Sequence, residues 1–292
     1  MITVRLGCPN TVMSERRLKV GRFDGILICT DLDGTLYRND KTVSDENRAA
    51  IEYFKSEGGY FTFITGRMPK YAKDAYRAVM PNVAFGCVNG GGLYDGEGQK
   101  YIWKRDMPDG VLELVKCIYN SFDDVGIMVC CFEDTYFAKD NDTMVKFRAA
   151  TGVPDLVKHY REVDEPIGKI IFGSDKDEEI CAIEKMLRAH PLADGFEFVR
   201  SERTLFEILP KGVDKGLALL RLTDHLGVDP RRTIGIGDYD NDIGMFRRAG
   251  LSIAVANACD AAKAEADVIT VSNEEHAIAR VIYDLEQGIY SV

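Results

Sequence analysis

The sequence predicts an α/β protein, a parallel-sheet core domain interrupted by an inserted α+β domain. Three observations predict it. At both ends of the chain, short apolar runs alternate with helix-length stretches, the order expected of parallel strands joined by helical crossovers. From about residue 92 to 206 that alternation stops, and strand-like runs cluster between turn residues. Polar residues suited to chemistry follow directly on the flanking apolar runs, where open parallel sheets bind their ligands.

Gly25 to Thr30 is a short apolar run ending at Asp31 and reads as a buried strand. Ser44-Asp45-Glu46 opens a helix with a capping hydroxyl and acids in the first turn, and Gly58-Gly59 stops it. Tyr60 to Ile64 is a second strand, ending at Thr65-Gly66-Arg67. A helix rich in Tyr and Ala leads to Met80-Pro81. Val83 to Val88 is a third strand, expected parallel, ending in Asn89-Gly90-Gly91-Gly92. In the insertion, Leu93-Tyr94, a turn at Asp95-Gly96 and Tyr101-Ile102-Trp103 precede a helix from Pro108 to Asn120. Strand-like runs follow at Ile127 to Phe132, Tyr136-Phe137, Lys169 to Phe172 and Glu197-Phe198-Val199, with a helix from Asp177 to Ala189. The α/β alternation resumes after Leu205. Lys215 to Leu226 is a helix, Thr233 to Ile236 a strand ending at Gly237-Asp238, and Asp240 to Ala249 a helix. Leu251 to Val255 and Val268 to Thr270 are strands. The expected division is an extension over 1–24, a core over 25–91 and 207–292, and an inserted domain over 92–206.

At ~150 residues per domain, 292 residues suit two domains. A hydrophobic share of 46% and a charged share of 29% exclude a disordered or fibrous chain. No apolar run approaches the ~18 residues that span a bilayer. Basic residues number 37 and acidic 47, a net charge of −10. Such a surface repels phosphate backbones, so neither nucleic acid nor an anionic membrane is an expected partner. A local basic pocket for one small anion stays compatible with it. The eight cysteines include no Cys-x-x-Cys, and several sit in apolar runs, which fits reduced thiols in the cytoplasm. The N-terminus lacks a signal-peptide apolar region, so the Asn141-Asp142-Thr143 sequon carries no weight. Nothing in the pattern specifies an oligomeric state.

Asp31 and Asp33 are two carboxylates at a strand end, followed by Gly34-Thr35; Asp238, Asp240 and Asp242 follow another. If those strands are near neighbours, three or more carboxylates converge, and their mutual repulsion calls for a hard cation. Oxygen ligands without His or Cys fit Mg²⁺. Thr65 and Lys215 add a hydroxyl and a positive charge that can hold a phosphoryl group, with a carboxylate as nucleophile. An EF-hand is excluded: position six is Leu36 or Ile243 where Gly is required. A dinucleotide fingerprint is excluded too, because the run from Gly235 lacks its third Gly. His159, His190, His225 and His276 are scattered and suggest no metal cluster. Singly, each signal is an ordinary turn or helix cap. All four together, in order at strand and helix ends, are not.

Asp31-Leu32-Asp33-Gly34-Thr35-Leu36 resembles motif I of the haloacid dehalogenase-like superfamily, and Thr65-Gly66-Arg67 its motif II. Lys211-Gly212-Val213-Asp214-Lys215-Gly216 resembles motif III, and Gly237-Asp238-Tyr239-Asp240-Asn241-Asp242 motif IV. The insertion and Asn89-Gly90-Gly91 are similar to the Cof-type subfamily, a Rossmann-like core with a C2B cap (subclass IIB). The resemblance spans 25–292. It implies a Mg²⁺-dependent phosphatase acting on a small phosphorylated metabolite, such as a sugar phosphate or cofactor phosphate. Asp31 would be the nucleophile and Asp33 the general acid and base, with Thr65 and Lys215 on the phosphoryl oxygens. Gly66, Arg67 and Asn241 would bind substrate. The metal would be held by Asp31, the Asp33 carbonyl and Asp238, with Asp242 supporting it or orienting Lys215. A phosphomutase of the phosphomannomutase type and a non-enzymatic phosphate- or metal-binding regulator are the alternatives. Substrate selection falls to the cap, where Arg67, Lys169, Arg203 and the aromatics near Trp103 and Tyr136 are the candidates.

Overall fold

The structure is a computed structural model that describes residues 21–292. The extension expected over 1–24, with Cys8, therefore lies outside the described residues except for its last four. Of those, Phe23 is buried against Phe54, with ring centroids 4.9 Å apart, and Arg22 pairs with Glu286.

In chain order the strands are β1 (Leu27–Thr30), β2 (Tyr60–Phe63), β3 (Phe85–Cys87), β4 (Gly92–Asp95), β5 (Lys100–Lys104), β6 (Gly126–Cys131), β7 (Thr135–Lys139), β8 (Ile167–Gly173), β9 (Phe196–Glu202), β10 (Leu205–Pro210), β11 (Thr233–Gly237), β12 (Leu251–Ala254) and β13 (Val268–Ile269). The helices are α1 (Asp45–Ser56), α2 (Lys73–Val79), α3 (Val111–Ser121), α4 (Asp142–Thr151), α5 (Asp177–Arg188), α6 (Lys215–Leu226), α7 (Ile243–Phe246), α8 (Asp260–Glu265) and α9 (Ala277–Glu286).

The core sheet runs β13-β12-β11-β1-β2, with every pair parallel. Leu27, Ile28, Cys29 and Thr30 are all buried, as a strand covered by helices on both faces requires. Helix α1 starts where the sequence places it, with the Ser44 hydroxyl accepting the Asn47 N–H, and buries Ala50, Ile51 and Phe54. The register sets Thr30 beside Ile236, which brings the ends of β1 and β11 together. That single fact positions the site.

The third strand differs from expectation. Strand β3 touches the core sheet through one parallel bridge, Ile64 to Gly86, and its ladder runs antiparallel to β4, which pairs with β5. The reversal is local: Asn89 and Gly90 take φ of 51° and 96°, and a Cβ on Gly90 would lie 1.9 Å from the Asp214 carbonyl oxygen. Residues 92–104 thus continue the sheet begun by β3 and pack on α6, so the expected boundary at 92 falls inside this hairpin.

The inserted sheet is antiparallel, in the order β7-β6-β8-β10-β9. The boundary expected at 206/207 falls within β10, one of its inner strands. Leu205–Pro210 is buried throughout, and a fully buried run carries no alternation that would separate it from a parallel strand. One face of this sheet, with Ile127, Val129, Ile170, Phe172 and Ile208, packs with Leu114, Ile118, Ile180 and Ile183 of α3 and α5. The other carries Met128, Cys130, Lys169, Ile171 and Glu207. Helix α4 escaped the sequence reading because only Thr143 and Met144 are buried, too few for an apolar stripe. The helix expected over Asp240 to Ala249 is a 3₁₀ turn, Asp240–Asp242, followed by the short α7. Helices α8 and α9 were not anticipated. The described cysteines carry free thiols, and no helix among the described residues is long and apolar enough to cross a membrane.

Candidate active site

The Asp31 N–H donates to the Ile236 carbonyl at 2.8 Å. The chain then winds tightly, with the Tyr37 N–H reaching back to the Leu32 carbonyl at 2.8 Å. Gly34 makes this turn at φ 84°; a Cβ there would sit 2.5 Å from an Asp238 carboxylate oxygen. The turn leaves both Asp31 and Asp33 lining one cavity.

Lys215 opens α6, whose N-cap Asp214 accepts the Leu217 N–H at 2.8 Å. Its ammonium donates to Asp31 Oδ1 at 2.6 Å and to Asp242 Oδ1 at 2.7 Å, and all three side chains are buried. The second Asp242 oxygen accepts the N–H groups of Asp238 and Tyr239 at 2.9 and 3.0 Å. Asp238 Oδ1 accepts the Thr35 hydroxyl at 2.8 Å. Carboxylate oxygens of Asp31, Asp238 and Asp242 lie within 4.8 Å of one another.

Burial, against the pull of Lys215 and with the push of Asp242 and Asp238, holds the Asp31 carboxyl well above the usual carboxylate range. Burial and then the Asp242 charge push Asp238 up to about 6. Burial works to lower Lys215, but Asp242 and Asp31 outweigh it and hold the ammonium above its ordinary value. Three crowded carboxylates against one ammonium, with oxygen donors alone, fit a small hard cation such as Mg²⁺. Both Asp242 oxygens accept protein donors and Asp242 does not line the cavity, whereas Asp31 and Asp238 do.

Asp33 is held differently. The Arg67 guanidinium clamps it through Nε at 2.9 Å and Nη2 at 2.7 Å, and the Lys41 ammonium adds a bond at 2.9 Å. Burial raises this carboxyl, but Arg67 and Lys41 together bring it below its ordinary value. Thr65 is buried, its N–H bound to the Gly86 carbonyl at 3.0 Å and its hydroxyl accepting the Arg67 N–H at 3.2 Å. Thr65, Gly66, Arg67 and Asn241 all line the cavity, and the Asn241 amide donates to Asn89 Oδ1 at 3.2 Å.

The cavity measures about 740 Å³ and lies between the core strand ends and the inserted sheet. Lys169 and Arg203 line it. Trp103 and Tyr136 do not. Trp103 lies beneath the Arg221 and Arg105 guanidinium groups, and the Tyr136 hydroxyl donates to Glu165. Sequence reasoning missed Lys41, which is a charged residue in an exposed loop and left no pattern. It also assigned no role to Asn89 and missed Glu207, because an isolated carboxylate in an apolar strand looks the same whether it faces a cavity or a structural partner.

Residues 28–282 match the haloacid dehalogenase-like hydrolases, and the chain belongs to that family. Its relatives make the class narrower. It is 29% identical to the 5-amino-6-(5-phospho-D-ribitylamino)uracil phosphatase YitU of Bacillus subtilis over 88% of this chain and 96% of that one. It is 27% identical to the Bacillus subtilis phosphatase YwpJ over 89% of this chain and 99% of that one. Among solved structures, a haloacid dehalogenase-like hydrolase from Bacteroides thetaiotaomicron superposes with a TM-score of 0.76 at 24% identity, covering 89% of this chain and 99% of that chain. The subclass IIB sugar phosphatase BT4131 superposes with a TM-score of 0.78 at 21% identity, covering 91% and 100%. The protein is a phosphatase of this family, built as a Rossmann-like core with a cap.

Proposed function

We propose that the protein is a Mg²⁺-dependent phosphatase that hydrolyses a small-metabolite phosphomonoester, a sugar phosphate or cofactor phosphate, through an aspartyl-phosphate on Asp31. One observation carries the reading: Lys215 is pinned between Asp31 and Asp242, beside Asp238, at the head of a cavity of small-metabolite size. Lys215 holds Asp31 Oδ1, which leaves Oδ2 to attack phosphorus in line. The P–O bond to the leaving group breaks as Asp33 gives the departing alkoxide a proton. Asp33 then takes a proton from water, whose oxygen attacks phosphorus, releasing inorganic phosphate and the free Asp31 carboxylate. A phosphoryl dianion competes with Asp33 for Arg67, and loosening that clamp lets Asp33 carry the proton. Thr65 and Lys215 donate to the phosphoryl oxygens, where charge develops in the transition state. Mg²⁺ held by Asp31, Asp238 and the Asp33 carbonyl would neutralise charge on the transferring group.

Three of the curated relatives, YitU, YwtE and YcsE of Bacillus subtilis, are named for 5-amino-6-(5-phospho-D-ribitylamino)uracil, a polyol phosphate of the proposed class. The buried free thiols support a reducing, cytoplasmic setting. The test is phosphate release from a panel of phosphomonoesters, with Mg²⁺ and with a chelator, for the wild type and Asp31→Asn. Chelator-sensitive turnover lost in Asp31→Asn is expected. Silence across the panel from folded, Mg²⁺-loaded protein would move the weight to a phosphomutase or a binding role.

A further inference from the structure

Four buried or half-buried polar side chains form one chain from the cap sheet to the phosphoryl site. Lys169 of β8 donates to Glu207 Oε2 of β10 at 2.9 Å. The same oxygen accepts the Asn89 Nδ2 at 2.7 Å. Asn89 Oδ1, on the other side of that amide, accepts the Asn241 Nδ2 at 3.2 Å. Lys169, Glu207 and Asn89 are 5%, 2% and 1% exposed, and Asn241 lines the cavity. Asn89 is further fixed by its backbone, whose N–H donates to the Thr65 carbonyl at 3.0 Å.

The chemistry of the chain has a direction. An ionised carboxylate only accepts, so Glu207 compels Asn89 to turn its NH₂ toward the cap. Its carbonyl oxygen must then face Asn241, which compels Asn241 to offer its own NH₂ in turn. One hydrogen of that NH₂ goes to Asn89, and the second remains as a donor at the edge of the cavity. Were the Asn241 amide reversed, its carbonyl oxygen would meet the phosphoryl oxygens with like partial charge. Lys169, buried against Glu207, pairs its ammonium with the carboxylate at the head of the chain.

We infer that Glu207 and Asn89 are positioning residues: they fix the orientation of the Asn241 amide so that it donates to the phosphoryl group, and so tie phosphate binding to cap strand β10. The inference rests on the phosphatase reading of the site. Its content is separate, since it concerns which way one amide points. Strand β10 also runs on through 211–214 into Lys215, so the residue that sets this polarity and the catalytic lysine share one continuous segment.

The test is calorimetric titration with inorganic phosphate, Mg²⁺ present, on the full chain. Glu207→Gln keeps the shape of the side chain but removes the charge from the oxygen that Lys169 and Asn89 share, and so weakens the acceptor that orients Asn89. Asn89→Gly removes the amide and tolerates the positive φ. Asn241→Ala removes the final donor. Each single change is expected to weaken phosphate binding about tenfold, the scale of a hydrogen bond to a charged group. The decisive comparison is Glu207→Gln combined with Asn241→Ala: it is expected to bind no more weakly than Asn241→Ala alone, because Glu207 acts only through Asn241. Asn89→Gly with Asn241→Ala repeats the comparison if Glu207→Gln does not fold. Losses that multiply in the double variants would overturn the inference, as would a wild type that binds no phosphate. Multiplying losses beside normal wild-type turnover would leave the phosphatase reading intact, so the two failures are distinguishable.

Discussion

Two lysines are buried among the described residues, one on each side of the cavity, and they are held in opposite ways. Lys215 in the core sits between two carboxylates with a third, Asp238, close by. Lys169 in the cap has one carboxylate, Glu207. The core cluster sets three carboxylates against one ammonium, whereas the cap pair sets one against one. The unbalanced cluster is where we propose the chemistry occurs, and the balanced pair is where we propose the cap is tied to the site.

The largest expected effect is on turnover. Asp31→Asn should lower kcat by ~10⁴-fold or more, the scale for removing a nucleophile. Because burial already holds the Asp31 carboxyl above its normal range, this variant should melt no lower than the wild type. Phosphate release and thermal unfolding, run together, check both halves.

Next comes stability. Removing one partner from a buried ion pair costs about 3–5 kcal/mol, so Lys215→Met and Lys169→Met should both unfold at lower urea. The comparison predicts where they part. Mg²⁺ should restore much of the loss in Lys215→Met, because a cation can stand in for the ammonium among three carboxylates. It should restore nothing in Lys169→Met. Equal rescue would erase the distinction between the two sites.

A smaller effect is pH-dependent. The Asp238 carboxyl is raised to about 6 in the folded state. The folded state therefore holds a proton that the unfolded chain gives up near pH ~3.9. The stability this proton contributes is present below that value and is lost as pH rises through about 6. A cation competes with the same proton. The rise in melting temperature caused by Mg²⁺ should be large at neutral pH and shrink below about 6. Asp238→Asn should abolish the trend.

The smallest effect is the control. Trp103→Phe lies outside the cavity, so KM should stay within error of the wild type, with a stability change of ~1 kcal/mol.

The same contrast explains what the sequence made legible. Asp31, Asp238 and Lys215 each follow a strand or open a helix, so a backbone pattern announces them and the register of β1 on β11 brings them together. Their neighbours Lys41 and Asn89 reach the site through local turns with φ of 62° and 51°, which no periodicity encodes. Glu207 lies in a strand buried along its whole length, and that same burial hid the end of the cap inside β10. Strand β3 was expected to be parallel because three runs separated by helices look alike until the reversal at Asn89-Gly90 is seen.

The most direct measurement is a rapid acid quench of the enzyme turning over a phosphomonoester from the panel with Mg²⁺, followed by mass spectrometry of the peptide that contains Asp31. The account predicts a phosphoryl adduct on Asp31 in the wild type and none in Asp31→Asn. Rapid turnover with no adduct on Asp31 at any quench time, or an adduct on another residue, would contradict it.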